Sequence, residues 1–158
     1  MKISIYAIGK YKKDLPEMDL CLDYLKRAEV MGRAFGITAC EIREFDTKLK
    51  DANPKRESEL LLSALPDGAY LICLDERGKN LGSEEFAENI EKLKDNGVRE
   101  IIFAIGGAEG HSQEFKSRAD LQLSFGKMTW PHKLVRAMAG EQIYRSVSII
   151  AKTPYHKA

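Results

Sequence analysis

The chain alternates between short, almost continuously apolar segments and longer segments in which apolar residues return every three or four positions. KISIYAIG (2–9), ITACEIREF (37–45), AYLICLD (69–75), EIIFAIGG (100–107) and DLQLSFG (120–126) predict strands. AYLICLD and EIIFAIGG carry almost no polar residue, the mark of strands covered on both faces. The intervening segments predict helices. The spacing of Cys21, Leu25 and Ala28 predicts one over 19–31, with those residues inward. Pro54 suits a first helical residue, with Leu60, Leu61 and Leu62 behind it. Pro66, Asp67 and Gly68 make a turn. Ser83 reads as an N-cap, ahead of Phe86, Ile90, Leu93 and a stop at Asn96-Gly97. A short helix follows at 111–118, and a long one begins at Pro131 with Leu134 and Met138 on its core side.

Strands and helices in alternation predict a single α/β domain over 1–158 with a mainly parallel sheet. The 158 residues fit one domain, and 44% hydrophobic content supports a core. No apolar run approaches the ~20 residues of a membrane span, and the N-terminus lacks a long signal-peptide core. A cytoplasmic protein is expected. Cys21, Cys40 and Cys73 read as reduced core residues, and no His/Cys cluster has metal-ligand spacing, so no metal is expected.

Net charge is +1, yet residues 131–158 carry +4 and the remainder −3. The basic end suits an anionic partner such as nucleic acid, or is simply a solvated helix face.

Ligands of open α/β sheets collect beyond the carboxyl ends of the strands. Three segments lie there: DERGK (75–79), IGGAEG (105–110) and FGKMTWPH (125–132). The amides of a loop with Gly106, Gly107 and Gly110 suit a carboxylate, a phosphate or an adenine edge. The loop lacks the dinucleotide spacing and is not a P-loop. His132 starts the basic helix, with Arg136, Gly140 and Tyr144 following at steps of four. Glu141 and Arg145 are spaced to pair, and Gly140 suggests close packing of another backbone.

LDERGK (74–79), FAIGGAEG (103–110), KMTWPHKLVRAMAGEQIYR (127–145) and the tail PYHK (154–157) together resemble the RlmH family of the SPOUT superfamily of ribosomal RNA methyltransferases. The likeness spans essentially the whole chain. It implies a C-terminal trefoil knot over about 100–158 and a homodimer. The implied reaction is methylation of N3 of a pseudouridine in helix 69 of 23S rRNA, on the assembled ribosome. It implies S-adenosylmethionine contacts at Leu74, Gly106, Phe125, Gly126, Lys127, Met128, Thr129 and Trp130. The chain departs from the family pattern at Gly126, where Ser is commoner, and at the bulky Trp130. For the chemistry, His156 is the candidate base and His132 its rival. Tyr155 is expected to stack on the target base, and Arg136 or Arg145 to hold a phosphate or the developing negative charge. Competing readings are a non-catalytic RNA- or ribosome-binding module and another nucleotide-using α/β enzyme.

Overall fold

The computed structural model describes residues 1–11, 14–47 and 53–157. Five strands form one parallel sheet: β1 (Lys2–Ile8), β2 (Ala39–Phe45), β3 (Tyr70–Lys79), β4 (Glu100–Ile105) and β5 (Leu121–Leu123). Their order across the sheet is β2-β1-β4-β3-β5. The helices are α1 (Pro16–Gly32), α2 (Pro54–Ser63), α3 (Ser83–Asp95), α4 (Gln113–Arg118) and α5 (His132–Ile150).

Successive strand residues serve two cores, as a pleat of period two requires. Ile3, Ile5 and Ala7 of β1 join Cys21 and Leu25 of α1, Ile90 of α3 and Val147 of α5. Tyr6 and Ile8 join Leu61 of α2 and Phe115 of α4 on the opposite face. All three cysteines are free and buried, and burial pushes each thiol up to about 12. Among the described residues no helix is long and apolar enough to cross a membrane, and no cluster of metal-ligating side chains occurs.

Local signals set most element ends. Asn53 accepts the Arg56 N–H at 2.9 Å and Pro54 opens α2. Ser112 accepts the Phe115 N–H at 3.2 Å and starts α4. The Pro66–Gly68 turn closes with the Ala69 N–H on the Pro66 carbonyl, with Gly68 at φ 74°.

Four expectations are corrected. Gly82, not Ser83, caps α3; Ser83 is its first helical residue and its hydroxyl makes no cap bond. Pro131 is likewise the cap of α5 rather than its first residue. DERGK is not a free loop, because β3 runs on to Lys79 through a register shift after Leu74. Gly78 permits this: a Cβ there would lie 2.6 Å from the Gln122 backbone. Finally, Leu134 is 36% exposed, and the inward face of α5 is Arg136, Ala137, Ala139, Gly140, Ile143 and Tyr144. Small residues are inward because α1 crosses there, with a Cβ on Gly140 only 3.1 Å from the Cys21 carbonyl oxygen.

Candidate active site

A cavity of about 530 Å³ opens at the carboxyl ends of β3, β4 and β5. The three sequence segments meet in it: the bulged end of β3, the glycine loop after β4, and residues 125–130 before α5. Leu74, Gly106, Phe125, Gly126, Met128, Thr129 and Trp130 all lie in its wall. Lys127, expected with them, does not.

Each segment has its own brace. Gly106 has no room for a side chain, since a Cβ would stand 2.9 Å from the Gly110 carbonyl carbon, and Gly107 and Gly110 form a one-bridge turn. Gly126 sits at φ 120°, where glycine is favoured over any residue with a side chain, and its N–H donates to Ser124 Oγ at 3.0 Å.

The polar wall is organised by Asp75. Its Oδ1 accepts the Arg77 N–H at 2.8 Å and its Oδ2 meets Lys116 Nζ at 2.6 Å. Burial raises the Asp75 carboxyl, but the Lys116 ammonium and the Arg77 amide outweigh it and hold the group below its ordinary range. Beneath, His111 stacks on Phe115 at 4.5 Å with Nε2 3.0 Å from the Ala104 carbonyl. Burial drives its pKa down to about 4, so this imidazole is neutral at physiological pH. Sequence reasoning missed Lys116 and His111. Asp75 was visible inside LDERGK, but its partner is set by the orientation of α4.

The candidate catalytic side chains divide. His132, in the first turn of α5, is in the cavity wall. Arg136, Arg145, Tyr155 and His156 are not. Arg136 is 1% exposed and committed to the fold: it donates to Glu44 Oε2 at 2.8 Å and to the Ile8 and Gly9 carbonyls at 2.9 and 2.7 Å. Tyr11 covers it at 4.2 Å. The expected phosphate contact at Arg136 is therefore not open in this arrangement.

The tail folds back on the later turns of α5. Tyr155 packs edge-on against Tyr144 at 4.6 Å and its hydroxyl donates to Glu141 Oε1 at 3.0 Å. Arg145 pairs with the same oxygen, lies over the Tyr155 ring at 4.8 Å, and donates from Nη1 to His156 Nδ1 at 3.1 Å. Because guanidinium only donates, Nδ1 is the acceptor of this contact.

A second cavity, about 310 Å³, shares Leu123 and Phe125 with the first and extends to Glu141 and Gln142. Glu141 thus links the tail to the far side of the Phe125 wall.

A family model and relatives of similar length show the kinship. The family described as "Predicted SPOUT methyltransferase" matches residues 1–156. The chain is 45% identical over 158 residues to the ribosomal RNA large subunit methyltransferase H of Hyphomonas neptunium, covering 100% of both. It is 46% identical to the protein of that name from Maricaulis maris, covering 99% of both. Among solved structures, it is similar to a ribosomal RNA small subunit methyltransferase E from Neisseria gonorrhoeae bound to S-adenosyl methionine. There the TM-score is 0.46 at 11% identity, with 89% of this chain and 64% of that one covered. The SpoU methyltransferase AviRb from Streptomyces viridochromogenes gives a TM-score of 0.41 at 10% identity, with 96% of this chain and 61% of that one covered. The chain belongs to the SPOUT methyltransferase family, among the ribosomal RNA large subunit methyltransferases H.

Proposed function

We propose that this chain binds S-adenosylmethionine in the 530 Å³ cavity and methylates N3 of a pseudouridine in helix 69 of 23S rRNA. It does so in the cytoplasm, on the assembled ribosome, as a homodimer, and its residues from about 100 to 158 form a trefoil knot. The reading is carried by the convergence of Leu74, Gly106 and the 125–130 segment on one cavity.

The residues present fit the cofactor in kind. The cavity lies within the ~300–1,000 Å³ of small-molecule sites. It sets apolar walls from Leu74, Ile105, Leu123 and Phe125 beside a backbone-rich glycine loop and the Asp75–Lys116 pair. Bound there, S-adenosylmethionine supplies a methyl carbon made electrophilic by its sulfonium. The chain's work is to hold, orient and exclude water. Positioning of this kind is worth ~7–11 kcal/mol. The imide proton at N3 must leave before that nitrogen attacks, and His132 is the better placed of the two histidines to take it. Tyr155 and Arg145 are assigned to the RNA, presented by the later turns of α5.

Support for the dimer comes from the cavity mouth. Met128 and Trp130, both in the cavity wall, are 75% and 40% exposed, large apolar side chains that a second copy would cover. The knot rests on the family to which the chain belongs. The ribosomal substrate fits the net charge of +1, which gives naked RNA little electrostatic pull.

Mass mapping of ribosomal RNA from a strain lacking this protein is the direct test. Loss of one methyl group from helix 69, restored by the purified protein on ribosomes, is expected. An unchanged methylation pattern refutes the function.

A further inference from the structure

Among the charged side chains in the wall of the large cavity, Glu76, Arg77 and Glu109 are exposed. Asp75 and Lys116 are not: their side chains are 10% and 22% exposed and meet at 2.6 Å. The pair joins the bulged end of β3 to α4. Yet α4 has other anchors. Ser112 caps that helix, Phe115 is wholly buried, and the Lys116 carbonyl accepts from Gln122 Nε2 at 3.1 Å.

Much of the pair's hydrogen-bonding capacity is unused. An ionised carboxylate accepts about four hydrogen bonds and an ammonium donates three. Asp75 accepts one from the Arg77 N–H, at 2.8 Å, and one from Lys116. Among the described residues Lys116 Nζ meets no other partner. Acceptor and donor capacity thus stand side by side in a wall largely withdrawn from water, where unmatched polar groups are costly.

Such a pair favours a ligand group that can satisfy both of its members. A carboxylate that approached Lys116 would stand against Asp75, and an ammonium that approached Asp75 would stand against Lys116. Like charges at this range repel. A neutral vicinal diol has neither difficulty. Each hydroxyl both donates and accepts, so one can accept from Nζ while the other donates to the carboxylate. S-Adenosylmethionine carries one such diol, on its ribose.

We propose that the Asp75–Lys116 pair binds the ribose of the cofactor, Lys116 donating to one hydroxyl and Asp75 accepting from the other. This inference rests on the cofactor reading given above. Burial works against the Asp75 charge, but Lys116 and the Arg77 amide outweigh it, so near neutrality the carboxylate accepts and does not donate. A pair kept only to tie β3 to α4 would be indifferent to the hydroxyls of a ligand.

The test is calorimetry of the full-length protein with S-adenosylhomocysteine and with its 2′,3′-dideoxy analogue. Wild-type protein should prefer the diol about a hundredfold, or about tenfold for each hydrogen bond to a charged group. Lys116→Met keeps the stem and removes the donor, and should cut that preference about tenfold. The double variant Asp75→Leu with Lys116→Met keeps the wall filled with no unpaired charge, and should abolish the preference. Wild-type protein that binds no S-adenosylhomocysteine overturns the cofactor reading and this inference with it. Wild-type binding that ignores the missing hydroxyls, or a preference that survives in the double variant, overturns the inference alone. If the double variant does not fold, Lys116→Met decides: an undiminished preference overturns the inference.

Discussion

Arg136 Nη1 stands 2.8 Å from Glu44 Oε2 and ties the second turn of α5 to the carboxyl end of β2, 92 residues earlier in the chain. The same guanidinium takes the Ile8 and Gly9 carbonyls, so one side chain closes the sheet end beside the cavity. Arg145 is also paired, but within its own helix and at 26% exposure.

These two arginines should therefore behave differently. Arg136→Ala leaves two strand-end carbonyls without this donor and Glu44 with only the Tyr11 N–H, a loss of ~3–5 kcal/mol for a broken buried pair. Arg145→Ala should cost under ~1 kcal/mol, as partly exposed pairs do. Urea denaturation of both variants measures this. Equal losses would show that Arg136 is not the staple described.

Gly140 gives an unusual sign. In an exposed helix Gly→Ala gains ~1 kcal/mol. Here the added Cβ would stand 3.1 Å from Cys21 O and 3.3 Å from Cys21 Sγ, so α1 and α5 would have to part. Overpacking of a close-packed contact costs ~1–3 kcal/mol, which exceeds the helix gain at its upper end. Gly140→Ala should lower the melting temperature. A more stable Gly140→Ala protein contradicts the packing.

His111 sets an acid limit. Its folded pKa is depressed to about 4 by burial, against an ordinary 6.5. The unfolded chain then binds the extra proton between those values, so stability is full above about pH 6.5 and falls as pH drops towards 4. Lys116 and Asp75 face the ring with opposite effects, and burial outweighs both. His111→Asn should flatten the stability profile across that window, followed by denaturant midpoints at pH 7 and 4.5. A variant with the same slope would assign the acid loss to other groups.

The sheet was legible because its strands announce themselves: Ile101 to Ile105 and Leu71 to Cys73 are apolar without a break and prove buried. The convergence of three strand ends was legible for the same reason, since parallel order puts their carboxyl ends together. What stayed hidden depends on neighbours that periodicity cannot name. Leu134 and Arg136 look reversed in any hydrophobic pattern, yet Arg136 is inside because Glu44 and two carbonyls await it there. Glu57 reads as an ordinary helix-start acid until the glycine loop is seen against it. The His156–Arg145 contact depends on the fold of the last residues, which no spacing rule reaches.

The two histidines give the sharpest functional test. His132 lies in the cavity wall, whereas the His156 ring is held at Nδ1 by Arg145 and faces Glu84 Oε1 at 3.8 Å through Nε2. From His132 to Arg145 is thirteen helical residues, or ~20 Å along α5. The tail is thus remote from His132 of the same chain. A general base contributes ~10²–10⁴-fold. His132→Gln should therefore cut kcat on ribosomes at least ~100-fold, with cofactor affinity little changed. His156→Gln should cut it far less. Deleting residues 154–158 should preserve cofactor binding yet cut turnover at least ~100-fold, the lower end of the same range. In that variant Glu141 and Arg145 lose Tyr155 and His156. A loss of ~100-fold in His156→Gln but not in His132→Gln would return the base to the tail, and a truncated protein with normal turnover would deny the tail any part in the reaction.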